Sequence, residues 1–305
     1  MTRIRPVLAF ALCCALLPAS CAVFSAGRYA GEALLSEGDY LAAEAAIPAY
    51  IKVAEIARRV APKDADAAAT LASLYLLYGT AFIEGENLYL PDEAFAEREV
   101  RGARAREYYR RALELIEPFL LRKSPGLFDA PFILGSEGVR LGASADDPLR
   151  RFKKRDAALL YYGAASIFAS FGSNPLDFSN AARLPRAFAM LERALALDPD
   201  FQAGAIHELA MQIYASMPPE LGGSREKALA AFEAARRASG GASADAFVSY
   251  AALIALPDGD REAFAQALEA ALAVDPAADP GRTLFNVLAR RKANYYLESI
   301  GSLFF

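Results

Sequence analysis

The chain has no tryptophan, one histidine and three cysteines in 305 residues. A lone histidine cannot by itself build a metal site, and no metal or cofactor site is predicted. Cys13 and Cys14 fall in an apolar run near the start, so a chain cleaved after that run keeps only Cys21. That excludes an internal disulfide framework and a thiolate metal centre. Beyond residue 17 no segment is an unbroken run of 18 apolar residues, so no further membrane span is expected. The phosphate-cradling GxxxxGK[ST], the strand-following GxGxxG, HExxH and GxSxG are missing as well. An envelope hydrolase would need a nucleophile in contact with a base, and no such pair is offered; the chain reads as a binding protein, not an enzyme. Basic excess is also lacking. Arg3 and Arg5 leave with the first 20 residues, and 31 cations then face 37 acids, a net charge of −6. That excludes a generally basic nucleic-acid surface.

What is present begins with the leader. Two arginines precede "VLAFALCCALL" at 7–17, and Pro18, Ala19 and Ser20 lead to Cys21. Basic start, apolar middle and small-residue end form a secretory signal, too short to span a bilayer as a mature helix. A cysteine directly after small residues points to a lipoprotein signal over 1–20, with Cys21 acylated as the new N-terminus. The bacterial lipobox usually has leucine three places before the cysteine and Gly or Ala just before it; here Pro18 and Ser20 stand there. The alternative is an ordinary cleaved signal with an incidental cysteine. Lipidation predicts a body in the periplasm, held to a membrane surface by its acyl chains.

Residues 21–305 read as a single helical domain. Hydrophobic content is 55%, much of it alanine, the best helix former. Two patterns alternate. One is Leu-Ala-x-x-Tyr, as in Leu71, Ala72 and Tyr75. The other is Ala-x-x-x-large-x-x-Ala, often followed by proline. Ala105, Tyr109 and Ala112 fit it, as do Ala187, Leu191, Ala194 and Pro199, and Ala228, Phe232 and Ala235; Phe264, Leu268, Ala271 and Pro276 fit less well. Small residues let two helices approach closely, and proline ends the second helix. These are positions of the tetratricopeptide (TPR) pattern, in degenerate form. The fold class expected is all-α: an α-solenoid of degenerate TPR-like helix pairs at about 25–60, 66–117, 156–197, 203–238 and 244–274, with a capping C-terminal helix at 281–300.

Spacing adds to this. A consensus repeat puts about nine residues between its Tyr position and its second Ala position. Here Tyr75 to Ala105 is 30, Ile167 to Ala187 is 20 and Ile213 to Ala228 is 15. The extra residues fall between the two helices of a pair, so enlarged loops near 85–95, 171–185 and 216–224 are expected on one edge. Either they are freely grown surface loops, whose closure entropy rises slowly with length, or they form a partner surface. The second reading takes Tyr89, Phe95, Phe178, Pro218, Gly222 and Gly223 as partner-binding. The basic run "RRFKKRD" precedes a helix expected to start at Asp156, a good N-cap. Arg151, Lys153 and Lys154 are either solvated or face an acidic partner or anionic headgroups.

Tyr75, Tyr78 and Phe82 share a helix face, and Tyr161, Tyr162 and Phe168 form a second aromatic set. Each is either core or the lining of a cavity for a hydrophobic ligand. His207 and Tyr214 join that candidate lining. Glu208 would not orient the His207 ring, because adjacent helical residues point about 100° apart.

Five segments carry a resemblance. "LASLYLLYGTAFIEG", "RDAALLYYGAASIFA", "RLPRAFAMLERALALDPDFQAGAIHELAMQIYASMPPELGGSREKALAAFEAA", "YAALIA" with "REAFAQALEAALAVDP", and "NVLARRKANYYLES" follow in order from about 65 to 300. Together the chain resembles the T-component of TRAP transporters (TatT). The resemblance implies a periplasmic lipoprotein of cryptic TPR-like helix pairs. It also implies a homotrimer with a cavity or channel in the helical body, association with a TRAP-type substrate-binding protein, and handling of small hydrophobic ligands. A structural TPR adaptor that assembles envelope proteins without binding a small molecule is the alternative.

Overall fold

The computed structural model describes residues 31–135, 138–142 and 146–304. The signal-like stretch 1–20 and the proposed lipidation site Cys21 lie outside the described residues.

Ten principal helices follow one another: α1 (Tyr40–Val60), α2 (Ala65–Leu77), α3 (Phe95–Lys123), α4 (Ala157–Ser173), α5 (Leu184–Leu197), α6 (Ala205–Ser216), α7 (Arg225–Ala238), α8 (Ala244–Tyr250), α9 (Arg261–Ala273) and α10 (Thr283–Glu298). Their starts are marked chemically. The side chains of Asp39, Asp64, Ser224, Ser243 and Asp260 each accept a backbone N–H of the first turn. Such caps contribute about 1 kcal/mol each. Helices α5 and α9 stop just ahead of Pro199 and Pro276.

Packing runs along the chain. Each of α2, α3, α4 and α5 rests on the helix before it, α7 rests on α6, and α9 on α8. The small side chains at the expected contact places make this possible. Ala105, Ala112, Ala187, Ala194, Ala228, Ala235 and Ala271 are wholly buried. One apolar core runs from α1 through α7, and a second gathers Val248, Phe264, Leu268 and Ala289 between α8, α9 and α10. The fold is all-α apart from one small hairpin.

Three features depart from the expected pattern. First, the helix starting at Ala65 does not end in a loop near residue 85. It continues from α2 as a π segment over Tyr78–Glu84 and a 3-10 segment over Gly85–Tyr89, so only a short turn precedes α3. Gly79 permits this, since a Cβ there would lie 2.5 Å from the Tyr109 ring. The whole stretch Ala65–Tyr89 is long and apolar enough to cross a membrane, but 67% of its most apolar window is buried in the protein. Core burial on two sides accounts for that composition. Second, an antiparallel hairpin of β1 (Phe132–Gly135) and β2 (Gly138–Leu141) pairs Phe132 with Leu141 and Leu134 with Val139. It sits on α5 and on the turn at Pro219–Leu221. Third, α10 packs on α8 and α9 and also returns to α1. The two ends of the helical array therefore meet.

Candidate functional site

Where the array closes, it surrounds a cavity of about 650 Å³. Each wall comes from one helix and has helical spacing. Helix α2 and its continuation supply Ser73, Leu76, Leu77, Thr80 and Glu84; α4 supplies Tyr161, Tyr162, Ala165, Phe168 and Ala169. Helix α6 adds Ala205, Glu208, Leu209, Gln212 and Ile213, α8 adds Asp245, Val248 and Ser249, and α10 adds Phe285, Leu288 and Lys292. Most of this wall is aliphatic or aromatic. Polar groups are concentrated at two places, both where α10 or its approach meets earlier helices.

The first polar place is centred on Arg282, just ahead of α10. Its Nη1 donates to Glu208 Oε1 at 2.8 Å. Its Nη2 donates to the carbonyls of Gln202 and Ala203 at 3.0 and 2.9 Å. Those carbonyls are presented by a left-handed turn in which Gln202, Ala203 and Gly204 have φ of 46°, 52° and 97°. Non-glycine residues rarely adopt such angles, so the guanidinium and the strained turn hold one another. Gln202 Nε2 donates to the Tyr162 hydroxyl at 3.1 Å. Tyr161 packs on Tyr162 and Phe201, with ring centroids 4.9 and 5.4 Å away. Nearby, Gln212 Nε2 donates to Asp245 Oδ2 at 3.3 Å and to Ser249 Oγ at 3.1 Å. Burial pushes the Glu208 carboxyl above its ordinary range; Arg282 opposes that shift and Asp245 adds to it.

The second polar place is the seam between the chain's ends. Arg291 of α10 pairs with Glu86, with Nη2 to Oε2 at 3.0 Å. Its guanidinium lies 3.9 Å from the Tyr89 ring centroid and 4.6 Å from that of Tyr40. Tyr295 meets Tyr89 edge-on at 5.1 Å. Burial pushes the Tyr89 hydroxyl up to about 12.

Of the residues expected in the lining, Tyr161, Tyr162 and Phe168 border the cavity. Tyr75, Tyr78, Phe82, His207 and Tyr214 do not. Tyr75 donates its hydroxyl to Glu55 at 2.8 Å, and the Tyr78 hydroxyl accepts from Arg104 at 2.8 Å. Both rings pack on Tyr108 of α3, and Phe82 is buried in the main core. The stripe is real, but it faces a neighbouring helix, while Ser73, Leu76, Thr80 and Glu84 turn inward. His207 is half-buried beside α7; burial and the Arg237 charge push its imidazole below the usual range. Tyr214 packs on Phe188 and donates to Glu192 at 3.3 Å.

The expected partner residues divide similarly. Phe95 and Phe178 are 74% and 85% exposed, as is Leu176 at 84%. Pro218, Arg151, Lys153 and Lys154 are exposed too, with Lys154 paired to Asp198 at 3.1 Å. Tyr89 is held in the seam. Gly222 and Gly223 are buried in a tight turn, where a Cβ on Gly222 would lie 2.9 Å from Phe188 and one on Gly223 1.7 Å from the Met217 carbonyl. The loops also differ in surroundings: Ser173, opening the second, meets Arg106 of α3, whereas the third packs on the hairpin. Asp156 does not cap α4. It accepts from the Lys153 backbone N–H at 2.7 Å and pairs with Lys123.

Sequence reasoning passed over Glu208, Gln212, Asp245 and Arg282. His207 lies one position out of phase with the inward stripe, to which Glu208 belongs. The spacing 205, 208, 209 and 212 could have identified that stripe. Among the described residues no group of three His, Cys, Asp or Glu side chains is placed to hold a metal ion.

Known proteins give the site its context. An uncharacterized protein of Treponema pallidum (strain Nichols) is 30% identical over 258 residues, covering 85% of this chain and 78% of its own length. The family model described as "TRAP transporter T-component" matches residues 36–304, nearly the whole described structure with its closed helical array and cavity. The chain belongs to the TRAP transporter T-component family.

Proposed function

We propose that this protein binds the transporter's extracytoplasmic substrate-binding protein and assists capture or transfer of a small apolar or amphipathic solute held in the cavity. Family membership gives the coarser statement directly: an accessory role in a TRAP transporter, at the cell envelope. The observation that carries the finer reading is the closed array. A TPR-like scaffold used only for assembly has no need to join its ends around an apolar space of about 650 Å³, within the range of small-molecule sites. Leu176 and Phe178, two large apolar side chains exposed two residues apart in the loop after α4, support a docking role for that loop, and the exposed Phe95 does so for the start of α3. The proposal includes a periplasmic body anchored through acylated Cys21 and assembled as a homotrimer.

Native mass spectrometry of protein purified from cells tests the solute-binding part. The expected result is a mass excess of one small molecule, released on denaturation and lost in Ala165→Trp, which fills the cavity wall. A bare mass in the folded parent protein would refute solute binding and leave the adaptor alternative.

A further inference from the structure

The end of the cavity around Arg282 carries one more acid than base. Arg282 is matched with Glu208. Asp245 has no cationic partner among the described residues; what it receives is the 3.3 Å bond from Gln212. Its place in the first turn of α8 supplies the partial charge of a helix N-terminus, which offsets only part of a full negative charge. Arg282 is 7% exposed, and its Nη atoms are committed to Glu208 and to the Gln202 and Ala203 carbonyls, so it does not offset the Asp245 charge. The Tyr161 and Tyr162 rings border the same end and provide faces that attract cations. Beyond them the wall becomes aliphatic, through Leu76, Leu209, Val248 and Leu288.

Resting on the solute-binding reading above, we propose that this end is the site for an amphipathic amine. Its ammonium group sits at Asp245, and its apolar tail follows the aliphatic wall. Three acceptors match the three donors of an ammonium: the Asp245 carboxylate, the Gln212 amide oxygen and the Ser249 hydroxyl. Gln212 spends its amide nitrogen on the other two, so its oxygen is the group left to accept. A bare carboxylate amphiphile would instead meet Asp245 and Glu208 as like charges. Burial already opposes ionisation of Glu208, so a further anion is disfavoured there and a cation relieves both acids.

Isothermal titration of the mature protein near neutral pH tests this with three eight-carbon probes: 2-aminooctanoic acid, octanoic acid and octanol. The aminoacid is expected to bind at least tenfold more tightly than the plain acid. In Asp245→Asn that preference should fall below threefold, with octanol unchanged. Equal binding of the two acids, or a preference that survives Asp245→Asn, would overturn the head-group assignment while octanol binding upholds the cavity reading. Binding by none of the three would overturn both. The ranking on the parent protein decides the matter by itself if Asp245→Asn does not fold.

Discussion

Arg291 is the clearest point at which to open the array. Its removal takes away one ion pair and two ring contacts. The pair is moderately sheltered, with Arg291 and Glu86 side chains 27% and 20% exposed, so about 1 kcal/mol is a reasonable share. Each guanidinium–ring contact adds about 0.5–1 kcal/mol. The total is about 2–3 kcal/mol. Helix α10 keeps its packing on α8 and α9 in the variant, so the loss falls on the seam, not on the whole fold. An increase of about 2 kcal/mol in the local opening equilibrium corresponds to roughly thirtyfold. Hydrogen exchange followed by mass spectrometry should therefore show Arg291→Ala exchanging roughly thirtyfold faster in peptides covering 85–89 and 285–296, with α4 and α5 unchanged. Arg291→Lys keeps the charge but not the planar fork, and should lie between the two. Unchanged exchange at the seam would refute the closure. So would equal acceleration everywhere, because it would mean that the seam is not a separable unit.

Two further outcomes follow from local geometry. Gly204→Ala forces a side chain into a left-handed residue with φ of 97° and places its Cβ 2.9 Å from that of Ala238, so a loss of about 2 kcal/mol and a lower Tm are expected in a thermal melt. Burial pushes the Glu192 carboxyl up, against the pull of Lys227 and Tyr214. Its ionisation thus costs the fold stability as pH rises past the ordinary carboxylate range, and the cost vanishes in acid; the Tm of Glu192→Gln relative to the parent should climb between pH 4 and pH 7, and a flat difference would contradict the burial.

How much of this could be read from the sequence follows from the kind of signal each feature leaves. Close helix contacts demand small side chains, so Ala105, Ala187 and Ala228 announced themselves by spacing. Helix α2 poses a harder question. Both of its faces are apolar, since one packs on α1 and α3 and the other lines the cavity, and periodicity cannot tell which apolar face is which. The aromatic face, Tyr75 and Tyr78, turned out to be the packed one. The continuation through Tyr78–Glu84 and Gly85–Tyr89 was invisible for a related reason: π and 3-10 turns break the 3.6-residue period. The hairpin at 132–141 is too short, with glycines at its tip, to show a strand pattern. Arg282 and Glu208 are 74 positions apart, and only the closure of the array brings them together.

That closure fixes the size of the molecule. An open superhelix tolerates the gain or loss of a hairpin, because each unit touches only its neighbours. Here α10 must reach Tyr40 and Glu86, so one unit more or fewer would carry Arg291 past its partners. A turn of this chain can lengthen freely, but the number of helices that enclose its cavity is set.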